Sequence, residues 1–166
     1  MQHKTVIERG FYMSKTKKLA LTLGVTLLVA GIAWFIVQDA PKLYNSIIRP
    51  TLAPPAVVFP IVWSVLYILM GTAAYLVINS DDERKGAALR TYYRQLAVNF
   101  FWPIIFFNTG WFLAALIWLL LLWLLIVQTI QEFAQIDKRT RWLLLPYLAW
   151  ATFAVYLNLA TYLLNR

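Results

Sequence analysis

The chain has 166 residues, of which 61% are hydrophobic and 13% charged, and its mean hydropathy is +0.66. This composition is too apolar for an ordinary soluble domain of this length and indicates a protein surrounded mostly by lipid. The absence of cysteine excludes disulfides, thiol catalysis and thiolate metal sites. The net charge of +8 is spread over short segments between apolar runs, which argues against nucleic-acid binding.

Residues 1–17 form an N-terminal arm before the first apolar segment. Residues 1–12 show no structural pattern, and Met13 begins a start that is more usual for a membrane protein, MSKTKK. Two interpretations stay open for residues 1–12, a disordered native arm and a non-native extension. The only histidine, His3, has no converging partner, so no metal site is expected.

Five apolar segments are each long enough to cross a bilayer, which needs about 20 residues per helix. They predict an all-α integral membrane protein, a five-transmembrane-helix bundle that forms one domain over residues 18–166. Pro55 suits the first turn of the second helix, because proline has no N–H to lose there. The predicted helices are about 19–37, 55–79, 91–107, 111–130 and 142–164.

Lysine and arginine are distributed unevenly between the two ends of this predicted bundle. With a cytoplasmic N terminus, twelve of them lie inside, and only Lys42, Arg49 and Arg166 lie outside. Because positive charge is retained on the cytoplasmic side, the bias predicts the N terminus inside and the C terminus outside. Contact with anionic lipid headgroups is the expected consequence.

Polar and indole side chains inside the helices are the candidates for binding. Gln95, Asn99, Thr152 and Asn158 must face other helices or a cavity, since a polar group in hydrocarbon needs a partner. Helix–helix hydrogen bonding and ligand contact both stay open for Asn99 and Asn158. Trp63, Trp102 and Trp150 lie within their helices, where an indole either lines a pocket or marks the membrane interface.

Three strings occur in order along most of the chain: PPAVVFPIVWSVLYILMGTAAYLV from Pro54, QLAVNFFWPIIFF from Gln95 and LLPYLAWATFAVYLN from Leu144. Together they are similar to the TspO/translocator-protein family, the tryptophan-rich sensory proteins. The resemblance implies a membrane receptor or carrier, usually a homodimer, in a bacterial cytoplasmic membrane. It also implies a cavity for porphyrin, sterol or similar flat lipophiles, with porphyrin or haem as ligand rather than as a resident cofactor. The ligand-binding residues implied in this way are Pro54, Phe59, Trp63, Asn99, Trp102, Phe106, Trp150, Ala154 and Asn158.

The chain departs from the family at three aromatic positions of the first loop. Leu43, Leu52 and Val57 stand where family members commonly carry tryptophan. Light-dependent breakdown of porphyrin would need an indole at the place of Leu52, so an enzyme is not expected and no catalytic residue is assigned. Porphyrin degradation and a non-catalytic role in membrane stress or assembly remain as alternatives to binding.

For the implied homodimer the sequence offers one small-residue pattern on the first helix, Ala20, Gly24 and Gly31. Small residues at this spacing let two helices approach closely. Packing inside a single chain explains the pattern equally well. The dimer is therefore an expectation from the resemblance.

Overall fold

The computed structural model describes residues 14–166, so His3 and the rest of residues 1–13 lie outside it. The described residues form six helices, joined by turns and without a strand. The helices are α1 Lys15–Ile36, α2 Ala40–Ser46, α3 Val58–Ile78, α4 Lys85–Pro103, α5 Phe112–Ile136 and α6 Arg139–Leu164. After Pro103, α4 continues as a five-residue π-helical segment, Ile104–Asn108.

The five long helices pack in a ring. Going around it, α1 packs against α3, α3 against α6, α6 against α5, and α5 against α4, which closes the ring by contacting α1 and α3. The short helix α2 lies across one end, against the π-helical segment. The short helix α2 thus covers one end of the ring.

Four helices, α1, α3, α5 and α6, are long and apolar enough to cross a membrane. The prediction of five spanning helices is therefore supported for four of them. The predicted third span corresponds to α4, which carries Lys85, Arg90 and Arg94 in its first half. These charges make α4 less apolar than the other long helices, although it packs within the same ring.

The first two predicted helices differ at their start from those observed. α1 begins at Lys15 rather than at 19, because the Ser14 side chain caps it by accepting a hydrogen bond from the Lys17 N–H at 3.3 Å. Residues 15–17 therefore belong to a helix and not to the arm. α3 begins at Val58 rather than Pro55. Its first turn contains Pro60, which has no N–H, and an N–H at this position would have no intrahelical acceptor.

The charged connections are shorter than predicted. α4 begins at Lys85 rather than 91, and α5 and α6 extend through the predicted polar segment 131–141, leaving only Asp137–Lys138 between them. The same local device precedes α4 and α6: Asp82 accepts the Arg84 N–H at 2.8 Å, and Asp137 accepts the Arg139 N–H at 2.9 Å. Such Asx turns favour a chain reversal before the helix, here beyond the apolar segments.

Glycines mark one tight helix contact and one turn. A Cβ on Gly71 of α3 would lie 2.8 Å from Leu23 Cδ2 and 3.2 Å from Leu23 Cα, so only glycine lets α1 and α3 meet so closely here. Gly110 has a φ of +67° in the predicted turn before α5. At Gly24 and Gly31 an added Cβ meets nothing within 4 Å, so packing inside the chain does not explain them, and the homodimer stays a prediction.

Each end of the ring is tied by polar contacts. One end of the ring carries Lys15, Lys85 and Arg139 and is here called the basic end. There the Arg84 guanidinium donates to the Gln135 carbonyl at 3.0 Å and so joins the start of α4 to the end of α5. At the opposite end, the Asn165 side chain accepts the Ile48 N–H at 2.9 Å and donates to the Ile48 carbonyl at 3.0 Å. We call residues 37–57, which contain α2 and span this second end, the lid.

Candidate ligand-binding cavity

A cavity of about 630 Å³, here called the main cavity, lies between α1, α3 and the end of α4 under the lid. Small residues of α1 make room for it, since Ala30, Gly31 and Ala33 line the α1 side. The opposite side is lined by the first turns of α3, among them Pro60 and Ser64. The close Leu23–Gly71 contact lies beyond the cavity, toward the basic end. The two helices thus touch at one end and leave space at the other.

The walls of the main cavity are mainly aromatic. Tyr44 of the lid and Phe59 of α3 meet edge to face with ring centroids 5.5 Å apart, and Trp63 lies 5.7 Å from Tyr67. Trp102 closes the α4 side, and Trp34 of α1, 58% exposed, lies at the mouth. Rigid rings around an apolar space provide flat surfaces on which a planar ligand can stack.

One polar cluster reaches the main cavity, centred on Asn99 of α4. Its Oδ1 accepts a hydrogen bond from the Tyr67 hydroxyl at 3.2 Å, and its Nδ2 donates to the Tyr147 hydroxyl at 2.6 Å. Tyr147 in turn donates to Gln95 Oε1 at 2.9 Å. The cluster joins α3, α4 and α6, so Asn99 connects helices and lines the cavity at once.

No Lys, Arg, His, Asp or Glu is among the described residues that line the main cavity. Two cations lie in the lid, and both have partners. The Lys42 Nζ is 2.7 Å from Asp39 Oδ1 in an exposed ion pair, and the Arg49 Cζ lies 5.5 Å from the centroid of the Tyr44 ring. The cavity is therefore an uncharged space.

Tyr44 connects α2 to the later part of the lid, at Pro54. Its hydroxyl donates a hydrogen bond to the Pro54 carbonyl, and its ring is buried against Phe59. Burial raises the pKa of Tyr44, and the Arg49 charge opposes this rise. The hydroxyl accordingly stays protonated at neutral pH and remains a donor.

A second space of about 30 Å³, the side pocket, lies behind the main cavity toward α6. Five residues line both spaces and form the wall between them: Tyr44, Phe59, Trp63, Trp102 and Phe107. The Trp102 indole N–H donates to Asn158 Oδ1 at 3.1 Å, and Asn158 Nδ2 donates to the Phe112 carbonyl at 2.8 Å. Asn158 therefore holds the wall in place from the side pocket.

The residues implied as a ligand site fall into three groups. Four of them, Phe59, Trp63, Asn99 and Trp102, line the main cavity. Four others, Phe106, Trp150, Ala154 and Asn158, line only the side pocket. Pro54 lines neither space and serves as the acceptor for Tyr44.

Sequence reasoning missed the contribution of α1 and of the lid helix. Ala30, Ala33 and Trp34 of α1 and Tyr44 of α2 line the main cavity, but none of them was a predicted site residue. The cluster of small residues directly before Trp34 was a usable signal. Of this cluster only Gly31 enters the sequence prediction, as part of a small-residue pattern that suits helix pairing or packing inside the chain.

The four intramembrane polar residues all bond to other helices, as one of the two interpretations expected. Gln95, Asn99 and Asn158 do so in the contacts described above. The fourth, Thr152 of α6, accepts the Trp123 indole N–H of α5 at 2.9 Å. Ligand contact stays open for Asn99, which lines the main cavity, and for Asn158, which lines the side pocket.

The three positions that lack a family tryptophan are all in the lid. Leu52 and Val57 are each 63% exposed, and only Val57 lines the main cavity. Leu43 belongs to α2 and lines neither space. The missing indoles therefore affect the cover of the cavity and leave its helical walls intact.

A model of the TspO/MBR family matches residues 19–163, which include every element that lines the cavity. The chain belongs to the TspO/MBR family. The Tryptophan-rich protein TspO of Chlorobaculum tepidum is 37% identical over 151 residues, covering 89% of this chain and 95% of that relative. The Tryptophan-rich sensory protein of Cereibacter sphaeroides is 38% identical, covering 74% of this chain and 76% of its own. The Translocator protein of Homo sapiens is 35% identical over 75% of each chain.

Family membership and the four apolar helices together make this chain a multi-pass TspO/MBR membrane protein. Its relatives are named as translocator or sensory proteins. The resemblance stated from the three sequence strings is thereby confirmed, because the matched region contains all of them.

Proposed function

We propose that the protein binds flat lipophilic molecules, such as porphyrins or sterols, in the main cavity and acts as a membrane receptor or carrier for them. The observation that carries the proposal is an uncharged, aromatic-walled cavity of about 630 Å³ between α1, α3 and the end of α4. Sites for small molecules typically measure about 300–1,000 Å³ and are lined by apolar and aromatic side chains with few polar groups. The main cavity has this size and chemistry.

In the proposed membrane arrangement, α4 is the fifth spanning helix. With the π-helical segment it covers residues 85–108, and its charged side chains, Lys85, Arg90 and Arg94, all lie toward the basic end. Long basic side chains near the end of a span can extend to the interface while the stem stays in lipid. The remaining residues, from Gln95 onward, contain no charge.

The proposed orientation places the basic end in the cytoplasm and the lid outside, in a bacterial cytoplasmic membrane. Among the described residues, the cations at the basic end are Lys15, Lys17, Lys18, Arg84, Lys85, Arg90, Arg94, Lys138, Arg139 and Arg141. Those at the lid end are Lys42, Arg49 and Arg166. Ten against three is the asymmetry that orients membrane proteins with their basic loops inside.

The proposed role is binding rather than catalysis. Leu52, which replaces the loop indole, is exposed and lines neither space, and Trp150 lies in the side pocket behind the wall. A ligand in the main cavity would thus be separated from Trp150 by Phe59, Trp63 and Trp102. Binding needs only the apolar walls, which are present.

Quenching of tryptophan fluorescence by added protoporphyrin IX dimethyl ester, in lipid nanodiscs, tests the proposal. Ala30→Phe places a ring in the main cavity and should weaken binding by about tenfold or more, because the ligand and the ring compete for the same space. Ala114→Phe is the matched control, since Ala114 is exposed on α5. If wild-type protein quenches no more than empty nanodiscs, or if folded Ala30→Phe binds as tightly as Ala114→Phe, the proposed site is wrong.

A further inference from the structure

One face of α4 points away from the bundle and carries two arginines. The opposite face is buried and holds Tyr92, whose hydroxyl oxygen lies 2.8 Å from the Thr26 hydroxyl oxygen of α1. Because this contact fixes the rotation of α4, the outward face meets lipid in the membrane arrangement proposed above. We call it the outer face; its side chains follow one another at helical spacing and are Arg90, Tyr93, Arg94, Ala97 and Phe101.

The two guanidinium groups of the outer face lack a counter-ion within residues 14–166. Both ion pairs that these residues form at the basic end use other arginines. On the neighbouring helix α5, one oxygen of Glu132 accepts a hydrogen bond from the Gln128 side chain at 2.7 Å, and the other is buried without a partner. Arg90 and Arg94 are therefore available to an anion from outside the described chain.

The position of both arginines along α4 brings them to the level of the lipid phosphates. A bilayer core needs about 20 residues of helix, so a span that ends at Asn108 begins at about residue 89. Arg90 lies at this boundary, and Arg94 lies about 6 Å deeper. A Cβ on Gly86 would lie 3.9 Å from Arg90 Nη1, so the Arg90 guanidinium extends one turn toward the basic end. Long basic side chains in lipid extend toward the headgroups in this way.

We propose that the outer face of α4 binds one anionic phospholipid, whose phosphodiester accepts hydrogen bonds from Arg90 and Arg94. A guanidinium group matches a phosphate with two parallel N–H donors. Beyond the arginines, Ala97 and Phe101, the latter 48% exposed, offer an apolar surface to an acyl chain. A second copy of the chain fits this face poorly, because a two-fold contact would bring like charges together. The site relies on α4 spanning the membrane and is independent of the ligand proposed for the main cavity.

Native mass spectrometry of the full chain in a neutral detergent tests the site. Phosphatidylglycerol and phosphatidylcholine with identical acyl chains are titrated separately, and the first bound lipid is counted. The wild-type protein should bind phosphatidylglycerol about tenfold or more tightly than phosphatidylcholine. The double variant Arg90→Gln/Arg94→Gln should reduce this preference to about twofold or less. Lys138→Gln/Arg141→Gln is the matched control, since it removes two exposed charges from the same end and should keep the preference.

Four results would overturn the proposal. The first is equal binding of the two lipids by the wild-type protein. The second is an equal loss of preference in both double variants, because diffuse charge at the basic end would then explain it. The third is a preference that appears only in Glu132→Gln, which would show that Glu132 neutralises the arginines. The fourth is a dimer, seen in the same spectra, that dissociates in Arg90→Gln/Arg94→Gln while the lipid preference is unchanged, which would assign the outer face to a second copy.

Discussion

Single residues inside this bundle serve packing and binding together. Asn99 is 2% exposed, yet it connects Tyr67 of α3 to Tyr147 of α6 and contributes to the cavity wall. A buried amide in lipid requires such partners, so the sequence predicted that Asn99 would face other helices or a cavity. It could not predict the partners, because two tyrosines from other helices meet Asn99 only through the ring order.

Replacing Asn99 by leucine should destabilise the protein by about 1–2 kcal/mol, because the Tyr67 hydroxyl loses its acceptor and Tyr147 loses one donor. Thermal unfolding in detergent measures the change. Asn45→Leu is the control, since Asn45 is exposed in the lid. An Asn99→Leu protein as stable as Asn45→Leu would show that these bonds contribute no net stability.

The Asp82–Arg84 pair gives a pH dependence outside the membrane. Hydrogen bonds from Arg84 lower the pKa of the Asp82 carboxyl to about 2. Because the folded-state pKa lies below the ordinary value of about 3.9, the stabilisation is complete above about pH 4 and is lost as the pH falls toward 2. Arg84→Ala should raise the Asp82 pKa, as measured by carboxyl carbon NMR, because the side-chain hydrogen bonds are lost while the backbone N–H of residue 84 still donates to Asp82. If the Asp82 pKa is unchanged in Arg84→Ala but altered in Lys85→Ala, then Lys85 and not Arg84 causes the shift.

Helices that consist of long apolar segments could be predicted from the sequence, whereas polar helix ends and the short helix α2 could not. The apolar segments located α1, α3, α5 and α6, since a bilayer requires about 20 apolar residues per helix. The same criterion missed the extension of α4 to Lys85 and of α5 to Ile136, because those turns are polar and leave the apolar segment. It also missed α2, whose seven residues are too short to give a periodic pattern.

At Gly71, α1 and α3 touch so closely that only glycine fits, whereas toward the lid they leave room for the main cavity. Gly71→Ala should destabilise the protein by about 1–3 kcal/mol, since its Cβ would meet the Leu23 backbone at 3.2 Å. Gly24→Ala is the matched control, because a Cβ there meets nothing within 4 Å and alanine favours a helix by about 1 kcal/mol. Chemical unfolding of both variants should separate them; similar stability in the two would contradict the close approach.

The C-terminal contact of the lid makes a further prediction. Asn165→Ala removes both hydrogen bonds to the Ile48 backbone, so the Ile48 amide should exchange its hydrogen about fivefold faster. Hydrogen–deuterium exchange read by mass spectrometry measures this rate, and Asn45→Ala serves as control within the same lid. Unchanged exchange at Ile48 would mean that the C terminus does not hold the lid.

The molecule as a whole places its charge at one end and its cavity near the other. Because the sequence has no cysteine, single cysteines report the two ends without background labelling. Ser46→Cys in the lid should react with a membrane-impermeant maleimide added outside intact cells, and Ser80→Cys at the basic end should react only after the cells are opened. The reverse pattern would invert the proposed orientation.

Photocrosslinking measures directly whether the main cavity holds the ligand. A neutral sterol carrying a diazirine, irradiated with the protein in liposomes, should label residues in the second half of α1, the first half of α3 and the end of α4. Excess unlabelled sterol should suppress this labelling. Labelling confined to exposed residues of α5 such as Ile117 and Leu124, and unaffected by the competitor, would mean that the main cavity does not hold the sterol.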